Sequence, residues 1–170
     1  MTELLLVRHA ETEWNREGRW QGHADPPLNE AGRAQAQALA RSLAGERVDA
    51  IYSSDLRRAA ETAEILAAAL GLPVTTDPDL REIDVGSWSG LTREEVAVQF
   101  PDWDTHDGET REALEVRVVA AVRLIAQRHP DGQVLVVTHG GSIRSLQRHL
   151  DGEPAPVLAN CEVYRLQFDG

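Results

Sequence analysis

The chain reads Val134-Leu135-Val136-Val137-Thr138-His139-Gly140-Gly141 at its most strand-like run. Four consecutive apolar residues that pass into a polar, glycine-containing turn predict a buried strand. A similar run, Leu4 to Val7, is followed directly by Arg8-His9. In open α/β sheets, ligands bind beyond the carboxyl ends of the strands. We therefore expect His9 and His139 to converge on one cleft.

Helical periodicity and further short apolar runs fill the rest of the chain. The periodicity predicts helices over residues 34–43, 55–70 and 143–150, a short helix between Thr92 and Pro101, and a longer helix from Leu114 to Pro130. Further strands are predicted at residues 49–52, 74–76 and 163–168. This alternation predicts a three-layer α/β/α sandwich around a mostly parallel sheet. No repeat or linker divides the chain, so residues 1–170 are expected to form a single domain.

Composition excludes several classes of function. All 17 basic residues are arginine, so lysine Schiff-base chemistry and the P-loop lysine are absent. A net charge of −11 argues against binding to nucleic acid or to an anionic membrane surface. The one cysteine, Cys161, cannot form an internal disulfide and fits a reducing compartment. No apolar run approaches the ~18 residues of a membrane helix, and we expect a cytoplasmic protein.

Several residues near the predicted strand ends are suited to binding phosphate. The two glycines after His139 open a helix, whose first N–H groups attract anions. Arg8 can grip a phosphate through two parallel hydrogen bonds. Arg58 lies at the start of a predicted helix, where its charge opposes the helix dipole, so it is a candidate for a ligand contact.

Each of these residues also has a simpler interpretation. A lone histidine at a strand end is more often a structural residue, and the pair Arg57-Arg58 is typical of a solvated helix start. Glu82 by itself would be a surface carboxylate. The histidines show no zinc-ligand spacing, so neither a metal nor another cofactor is expected. Only the order of the motifs along the chain makes the functional interpretation specific.

In that order, the motifs resemble the histidine phosphatase superfamily, in its phosphoglycerate mutase-like branch. The matching blocks are Leu6-Val7-Arg8-His9-Ala10-Glu11-Thr12-Glu13-Trp14-Asn15, Leu28-Asn29-Glu30-Ala31-Gly32, Ser53-Ser54-Asp55-Leu56-Arg57-Arg58, Leu80-Arg81-Glu82-Ile83, Gly86-Ser87-Trp88-Ser89-Gly90, Gly108-Glu109-Thr110 and Val137-Thr138-His139-Gly140-Gly141. The family often has glycine where Ala10 stands. An alanine there must avoid left-handed backbone angles or absorb about 1–2 kcal/mol of strain.

The resemblance implies a role for each matching residue. His9 would be the nucleophile that forms a phosphohistidine, and Glu82 would protonate the leaving group. Positive charge and hydrogen bonds around the phosphoryl group would come from Arg8, Arg58 and His139. The residues implied to contact substrate are Asn15, Gln21, Gly22 and Gly140. Arginines supply the positive charge, so this chemistry needs no metal.

The resemblance leaves the reaction and the substrate open. The interval from Gly90 to Gly108 is short for a water-excluding lid, which favours a phosphatase over a phosphoglycerate mutase. A protein phosphohistidine phosphatase and a non-catalytic phosphate-binding module are less favoured, because Glu82, His9 and Arg58 are all present. The expected partner is a small phosphorylated metabolite: a sugar phosphate, a phosphoglycerate derivative or a nucleoside monophosphate. Trp14, Trp20 and Trp103 could stack on a substrate ring.

Oligomeric state is not determined by these patterns, and both a monomer and a homodimer stay open. The last predicted strand, with Val157 and Leu158 before it, could form the sheet edge of a dimer.

Overall fold

The computed structural model describes residues 1–104, 107–153 and 155–169 and contains one five-stranded sheet. Its strands are β1 (Thr2–Arg8), β2 (Ala50–Ser53), β3 (Val74–Thr76), β4 (Gln133–Thr138) and β5 (Val163–Phe168). The order across the sheet is β3-β2-β4-β1-β5. Only β5 pairs antiparallel, against β1. The predicted mostly parallel sheet is confirmed.

Within the described residues, six helices connect these strands: α1 (Glu13–Glu17), α2 (Glu30–Ser42), α3 (Arg57–Leu70), α4 (Arg93–Gln99), α5 (Arg111–Arg128) and α6 (Gly140–Asp151). Two 3₁₀ turns, Pro78–Leu80 and Gly86–Trp88, lie between β3 and α4. Periodicity did not predict α1 or the 3₁₀ turns because each is shorter than two helical turns. Helix α2 begins four residues earlier than periodicity indicated, since the Asn29 side chain accepts the N–H of Gly32 at 2.7 Å and caps it.

The two faces of the sheet support separate layers of helices. Along β1, Leu4 and Leu6 pack in one apolar cluster with residues of α5 and α6, whereas Leu5 and Val7 pack in a second cluster with α2 and α3. Successive side chains of a strand point to opposite faces, so this division places the sheet between two helical layers. The predicted three-layer sandwich is confirmed.

The register of β1 against β4 determines where His9 and His139 lie relative to each other. Arg8 is paired with Thr138 across the two strands, and the N–H of His9 donates to the Thr138 carbonyl at 2.9 Å. The two strands therefore end level with each other, and His9 and His139 leave the same edge of the sheet as neighbours.

Two expectations from the sequence concern the edge of the sheet and the possibility of a membrane-spanning helix. Strand β5 is at the edge of the sheet, as expected, but Leu158 is buried within the chain while Val157 is exposed. No helix in the described part of the chain is both long and apolar enough to cross a membrane.

Candidate active site

Four side chains from two strand ends and one helix start form a buried group, here called the histidine–arginine cluster: Arg8, His9, Arg58 and His139. The imidazole ring centroids of His9 and His139 lie 5.1 Å apart. His9, Arg58 and His139 are each at most 3% exposed, and Arg8 is partly buried. The structure thus brings together four of the five residues to which the sequence assigned catalysis.

His9 is held in one tautomer. Its Nδ1 lies 2.7 Å from the carbonyl oxygen of Ala10, and a carbonyl can only accept, so Nδ1 carries the proton and donates. The lone pair of Nε2 is then free. Burial, together with the positive charge of Arg58, holds the pKa of His9 well below its usual range. Ala10 has no left-handed backbone angle, so alanine fits at this position.

His139 directly follows β4 and precedes the first turn of α6. Its Nε2 shares a hydrogen bond of 2.8 Å with the hydroxyl of Ser54. Burial, with the nearby charge of Arg58, also lowers the pKa of His139 well below its usual range. Both imidazoles are therefore neutral at pH 7.

Arg58 is a cation inside the protein. It lies in the first turn of α3, is 1% exposed, and donates to the carbonyls of Gly22 and Ala24, each at 2.7 Å. Burial lowers the pKa of Arg58 to about 10, so the side chain stays charged at neutral pH. Its neighbour Arg57 is exposed. Of the two adjacent arginines, Arg58 therefore belongs to the site and Arg57 faces the solvent.

Unsatisfied nitrogen atoms concentrate in this cluster. Arg8 donates from Nη1 to the Leu158 carbonyl at 2.5 Å, but the buried atoms Arg8 Nε, Arg58 Nε and His139 Nδ1 have no hydrogen-bond partner among the described residues. A buried polar group without a partner costs about 1–3 kcal/mol. The cluster therefore has unpaired nitrogen atoms that suit an anion with several acceptor atoms, and it has them at a cost in folding stability.

Glu82 is the fifth predicted catalytic residue and lies beside the cluster. Its two carboxylate oxygens accept the N–H groups of Ile83 at 2.9 Å and Gly141 at 3.0 Å. A Cβ atom on Gly141 would overlap Glu82 Oε1, so only glycine allows this approach to α6. The charge of Glu82 acts on Arg8 and Arg58, where it opposes the lowering of their pKa values by burial.

The segment that carries Glu82 is fixed by Arg117, a residue to which the sequence assigned no role. The Arg117 guanidinium donates to the carbonyls of Asp79, Arg81 and Glu82 at 2.9, 2.8 and 2.9 Å. It also forms a two-bond ion pair with Glu109, at 2.8 and 2.7 Å. We call Arg117 and Glu109 the guanidinium clamp. No local pattern predicts it, because its acceptors are main-chain atoms of a distant segment.

The residues expected to contact substrate occupy the margin of the cluster. Asn15 accepts the Thr12 N–H on Oδ1 at 3.0 Å, which leaves its NH₂ group to donate. The Gln21 side chain accepts the Thr12 hydroxyl at 2.8 Å.

Both glycines of the expected substrate-contact set are in tight positions. Gly22 has a φ of +50°, and a Cβ there would come within 2.6 Å of Val85. Gly140 faces Arg8 at the start of α6. Asn160, which sequence reasoning missed, donates to the carbonyl of His9 at 2.9 Å.

A cavity of about 400 Å³ lies between the segment that follows Glu82 and helix α6. We call it the tryptophan-lined cavity; its wall comprises Trp20, Ile83, Asp84, Val85, Trp88, Trp103, Asp104, Glu109, Arg111, Leu114, Gly141, Arg144, Ser145 and Arg148. Two of the three tryptophans expected near a ligand, Trp20 and Trp103, belong to this wall, whereas Trp14 does not. Instead, Trp14 lies against Gly90.

Within the described residues, no group of three or more histidine, cysteine, aspartate or glutamate side chains is arranged to hold a metal ion. His106, one of the six histidines, lies outside the described residues.

Comparisons with known proteins agree with this geometry. The family model of the histidine phosphatase superfamily (branch 1) matches residues 4–170. The chain is 44% identical to a phosphoglycerate mutase-like protein 4 of Arabidopsis thaliana, over 99% of this chain and 80% of the relative. It is 40% identical to phosphoserine phosphatase 1 of Hydrogenobacter thermophilus, over 86% and 74%. The solved structure of Bacillus stearothermophilus YhfR superposes with a TM-score of 0.93 at 35% identity, covering 100% of this chain and 93% of that one.

Proposed function

The chain belongs to the histidine phosphatase superfamily (branch 1), and from this premise we propose that it hydrolyses small organic phosphate monoesters without a metal ion. Residues 1–170 act as one domain. The substrate is a sugar phosphate, a phosphoglycerate derivative or a nucleoside monophosphate. The lone cysteine fits a cytoplasmic enzyme, active as a monomer or a homodimer.

One observation carries the proposal: a neutral histidine with a free Nε2 lies among buried arginines. The Ala10 carbonyl fixes the proton of His9 on Nδ1, and burial, together with the charges of Arg58 and Arg8, lowers the pKa of the ring. Such a ring is nucleophilic at pH 7. The same arginines attract the phosphoryl group that it would attack.

In the first step, His9 Nε2 attacks phosphorus and the bond from phosphorus to the ester oxygen breaks. The bonding electrons leave with the alkoxide, which takes a proton from Glu82 and departs as the alcohol. Glu82, a carboxylate in the site without substrate, must therefore be protonated when the substrate is bound. Nδ1–H of His9 keeps its bond to the Ala10 carbonyl, which stabilises the ring while it carries the phosphoryl group. Arg8, Arg58 and His139 surround the phosphoryl oxygens as charge develops.

In the second step, water replaces the alcohol. The Glu82 carboxylate accepts a proton from the water as its oxygen attacks phosphorus, and the bond from phosphorus to Nε2 breaks with its electrons returning to His9. Inorganic phosphate leaves, and both residues recover their starting states. Asn15 and the N–H groups at the start of α6 offer further donors to the phosphoryl oxygens.

Release of inorganic phosphate in the presence of EDTA tests the proposal. The panel contains p-nitrophenyl phosphate, sugar phosphates, nucleoside monophosphates, phosphoserine and 3-phosphoglycerate, with 2-phosphoglycerate followed in the same tubes. We expect steady phosphate release from at least one ester. Interconversion of the phosphoglycerates with little release would make the protein a mutase, and inactivity towards every ester would leave a binding module.

A further inference from the structure

The loop that carries His9 is held by side chains rather than by secondary structure. Residues 9–11 follow β1 and lie outside the described strands and helices. Ala10 is 0% exposed, and a buried main-chain N–H or carbonyl without a partner is costly. The peptide groups of this loop therefore need partners from other parts of the chain.

The first peptide group, between His9 and Ala10, is bonded at both ends. Its carbonyl accepts the side-chain amide of Asn160 at 2.9 Å, and its N–H donates to the hydroxyl of Thr62 at 3.0 Å. Thr62 donates its own hydroxyl proton to the Arg58 carbonyl at 2.7 Å, so a lone pair faces the Ala10 N–H. Through Thr62, the loop is bonded to the turn of α3 that carries Arg58.

The second peptide group, between Ala10 and Glu11, is also bonded at both ends. Its carbonyl accepts Nδ1–H of His9 at 2.7 Å, and its N–H donates to the side-chain oxygen of Gln35 at 3.0 Å. The carbonyl and the N–H of a trans peptide point in opposite directions. The bond to Gln35 therefore turns the Ala10 carbonyl towards the imidazole.

The first turn of α2 places Gln35 beside this peptide group. The main-chain N–H of Asn29 donates to the Glu11 carbonyl at 3.0 Å, and the side-chain amide of Asn29 donates to the Glu11 carboxylate at 2.9 Å. A Cβ atom on Gly32 would overlap the Glu11 carbonyl, so only glycine lets α2 approach this closely. Helix α2 is thus fixed against the residue that follows Ala10.

We propose that Gln35 and Thr62 are positioning residues for the nucleophile, which hold the Ala10 carbonyl against Nδ1–H and so keep the Nε2 lone pair of His9 available for attack on phosphorus. This assignment rests on the proposed phosphatase function and adds to it two residues that act through the main chain. A neutral imidazole can carry its proton on either nitrogen. The nucleophilic form therefore depends on the acceptor at Nδ1.

A purely structural role for these side chains would affect stability alone. Removal of either acceptor leaves a main-chain N–H without its partner, which destabilises the fold in both cases. Only the positioning role connects the same bonds to the protonation of a ring nitrogen. The tautomer of His9 and the rate of attack on phosphorus therefore distinguish the two roles.

The first test is the tautomer of His9. Nitrogen NMR of isotope-labelled histidine reports which ring nitrogen carries the proton, and the signals of His9 are those lost in His9→Ala. Thr62→Val removes the hydroxyl with little change in volume, whereas Thr62→Ser keeps it. We expect the Nδ1–H form alone in the wild-type protein and in Thr62→Ser, and a mixture with the Nε2–H form in Thr62→Val. Gln35→Met should give the same mixture.

The second test separates attack on phosphorus from phosphate binding. A single turnover of p-nitrophenyl phosphate with enzyme in excess measures the attack directly. Thr62→Val and Gln35→Met should slow it by about 10- to 100-fold, and Thr62→Ser should stay within about 2-fold of the wild-type rate. The inhibition constant for inorganic phosphate should change by less than about 2-fold in each variant, because the arginines that bind phosphate are retained.

Thr2→Val and Gln37→Met are the matched controls. Thr2 is buried at the other end of β1, where its hydroxyl donates to the Ala126 carbonyl at 3.0 Å. Gln37 lies on α2 and is exposed. Thr2→Val should lower the melting temperature as Thr62→Val does, but leave the tautomer of His9 and the rate unchanged. Gln37→Met should change none of the three.

The inference would be overturned if Thr62→Val and Gln35→Met kept the wild-type tautomer and rate and lost only thermal stability. A mixture of tautomers in the wild-type protein would overturn it as well. Gln35 is only partly buried, so Gln35→Met tests the inference by itself where Thr62→Val does not fold. A wild-type protein that shows the expected tautomer but releases no phosphate from any ester would contradict the proposed function alone.

Discussion

The histidine–arginine cluster and the tryptophan-lined cavity are built in different ways. The cluster comes from the ends of β1 and β4 and the first turn of α3, and main-chain carbonyls hold its arginines. The cavity draws much of its wall from connecting segments, such as Trp20 and Trp103, and Trp103 is 41% exposed.

This difference follows from the cost of burying charge. A guanidinium without solvent must find acceptors in the protein, and main-chain carbonyls provide them at positions set by the fold. The cavity wall is less constrained, since its aromatic residues need few fixed partners. We therefore expect substitutions in the cluster to remove chemistry, whereas substitutions in the cavity change which ester is preferred.

The largest effect should follow His9→Ala. Without the Nε2 nucleophile, turnover of p-nitrophenyl phosphate should fall by about 10⁴-fold or more, and rapid quenching in alkali, in which phosphohistidine is stable, should trap a phosphoenzyme in the wild-type protein but none in the variant. Thermal unfolding serves as the control for folding. Turnover near the wild-type rate would show that another residue is the nucleophile.

Arg58 and Arg57 are neighbours in sequence, so the same substitution at each position tests whether activity depends on the arginine that is buried in the cluster. Arg58→Lys loses the donors to the Gly22 and Ala24 carbonyls and the planar group that faces the phosphoryl oxygens, so kcat/KM should fall by about 10²- to 10³-fold. Arg57→Lys, one residue away and exposed, should change it by less than about 2-fold. Similar losses for both variants would remove the distinction that the fold makes between them.

Glu82→Gln tests whether Glu82 protonates the leaving group. Esters with alkyl leaving groups should lose about 10²-fold in kcat, because their alkoxides need a proton. p-Nitrophenyl phosphate should lose much less, since nitrophenolate departs without one. Equal losses on both kinds of ester would remove Glu82 from the role of proton donor.

Substitution in the guanidinium clamp should also reduce activity on alkyl esters more than activity on p-nitrophenyl phosphate, but by a smaller factor than Glu82→Gln. Lysine at position 117 cannot reach three carbonyls and a carboxylate together, so Arg117→Lys should loosen the segment that carries Glu82. We expect a loss of about 10-fold on alkyl esters and a smaller loss on p-nitrophenyl phosphate. Arg123→Lys, on the exposed side of α5, is the control. A purely structural role would lower the melting temperature without any dependence on the leaving group.

The smallest effect concerns the pH dependence of stability. The pKa values of His9 and His139 are well below 6.5 in the folded protein, so below pH 6.5 the unfolded chain binds protons that these folded histidines do not. Stability should therefore fall as pH decreases through that range, by about 1.4 kcal/mol per pH unit for each histidine.

Urea unfolding between pH 7.5 and 5.5 measures this slope. The variant with His9→Asn and His139→Asn should show a shallower decrease than the wild-type protein. Identical slopes would mean that the buried imidazoles take up protons as readily as exposed ones.

Most of the fold was predictable because it depends on local patterns. Four-residue apolar runs identified β1 and β4, and helical periodicity identified α3 and α5, although boundaries moved by several residues where caps such as Asn29 decided them. The short helix α1 was missed because five residues do not display a period.

The candidate site was predictable to the extent that ordered motifs carry it. Arg8, His9, Arg58, Glu82 and His139 could each be named from the sequence, although each alone had a simpler interpretation. Arg117 and Asn160 could not, since they act on main-chain carbonyls far away along the chain. A carbonyl has no side-chain identity, and therefore no sequence pattern marks it as a partner.

The sequence by itself determined the order of the strands and the longer helices, the lack of lysine, and the candidate residues for binding and attacking a phosphoryl group. Only the tertiary structure decided which residue of the Arg57-Arg58 pair is buried, which tautomer His9 adopts, and that Arg117 binds the main chain at Arg81 and Glu82. These properties depend on distances between segments remote in sequence, and packing sets those distances.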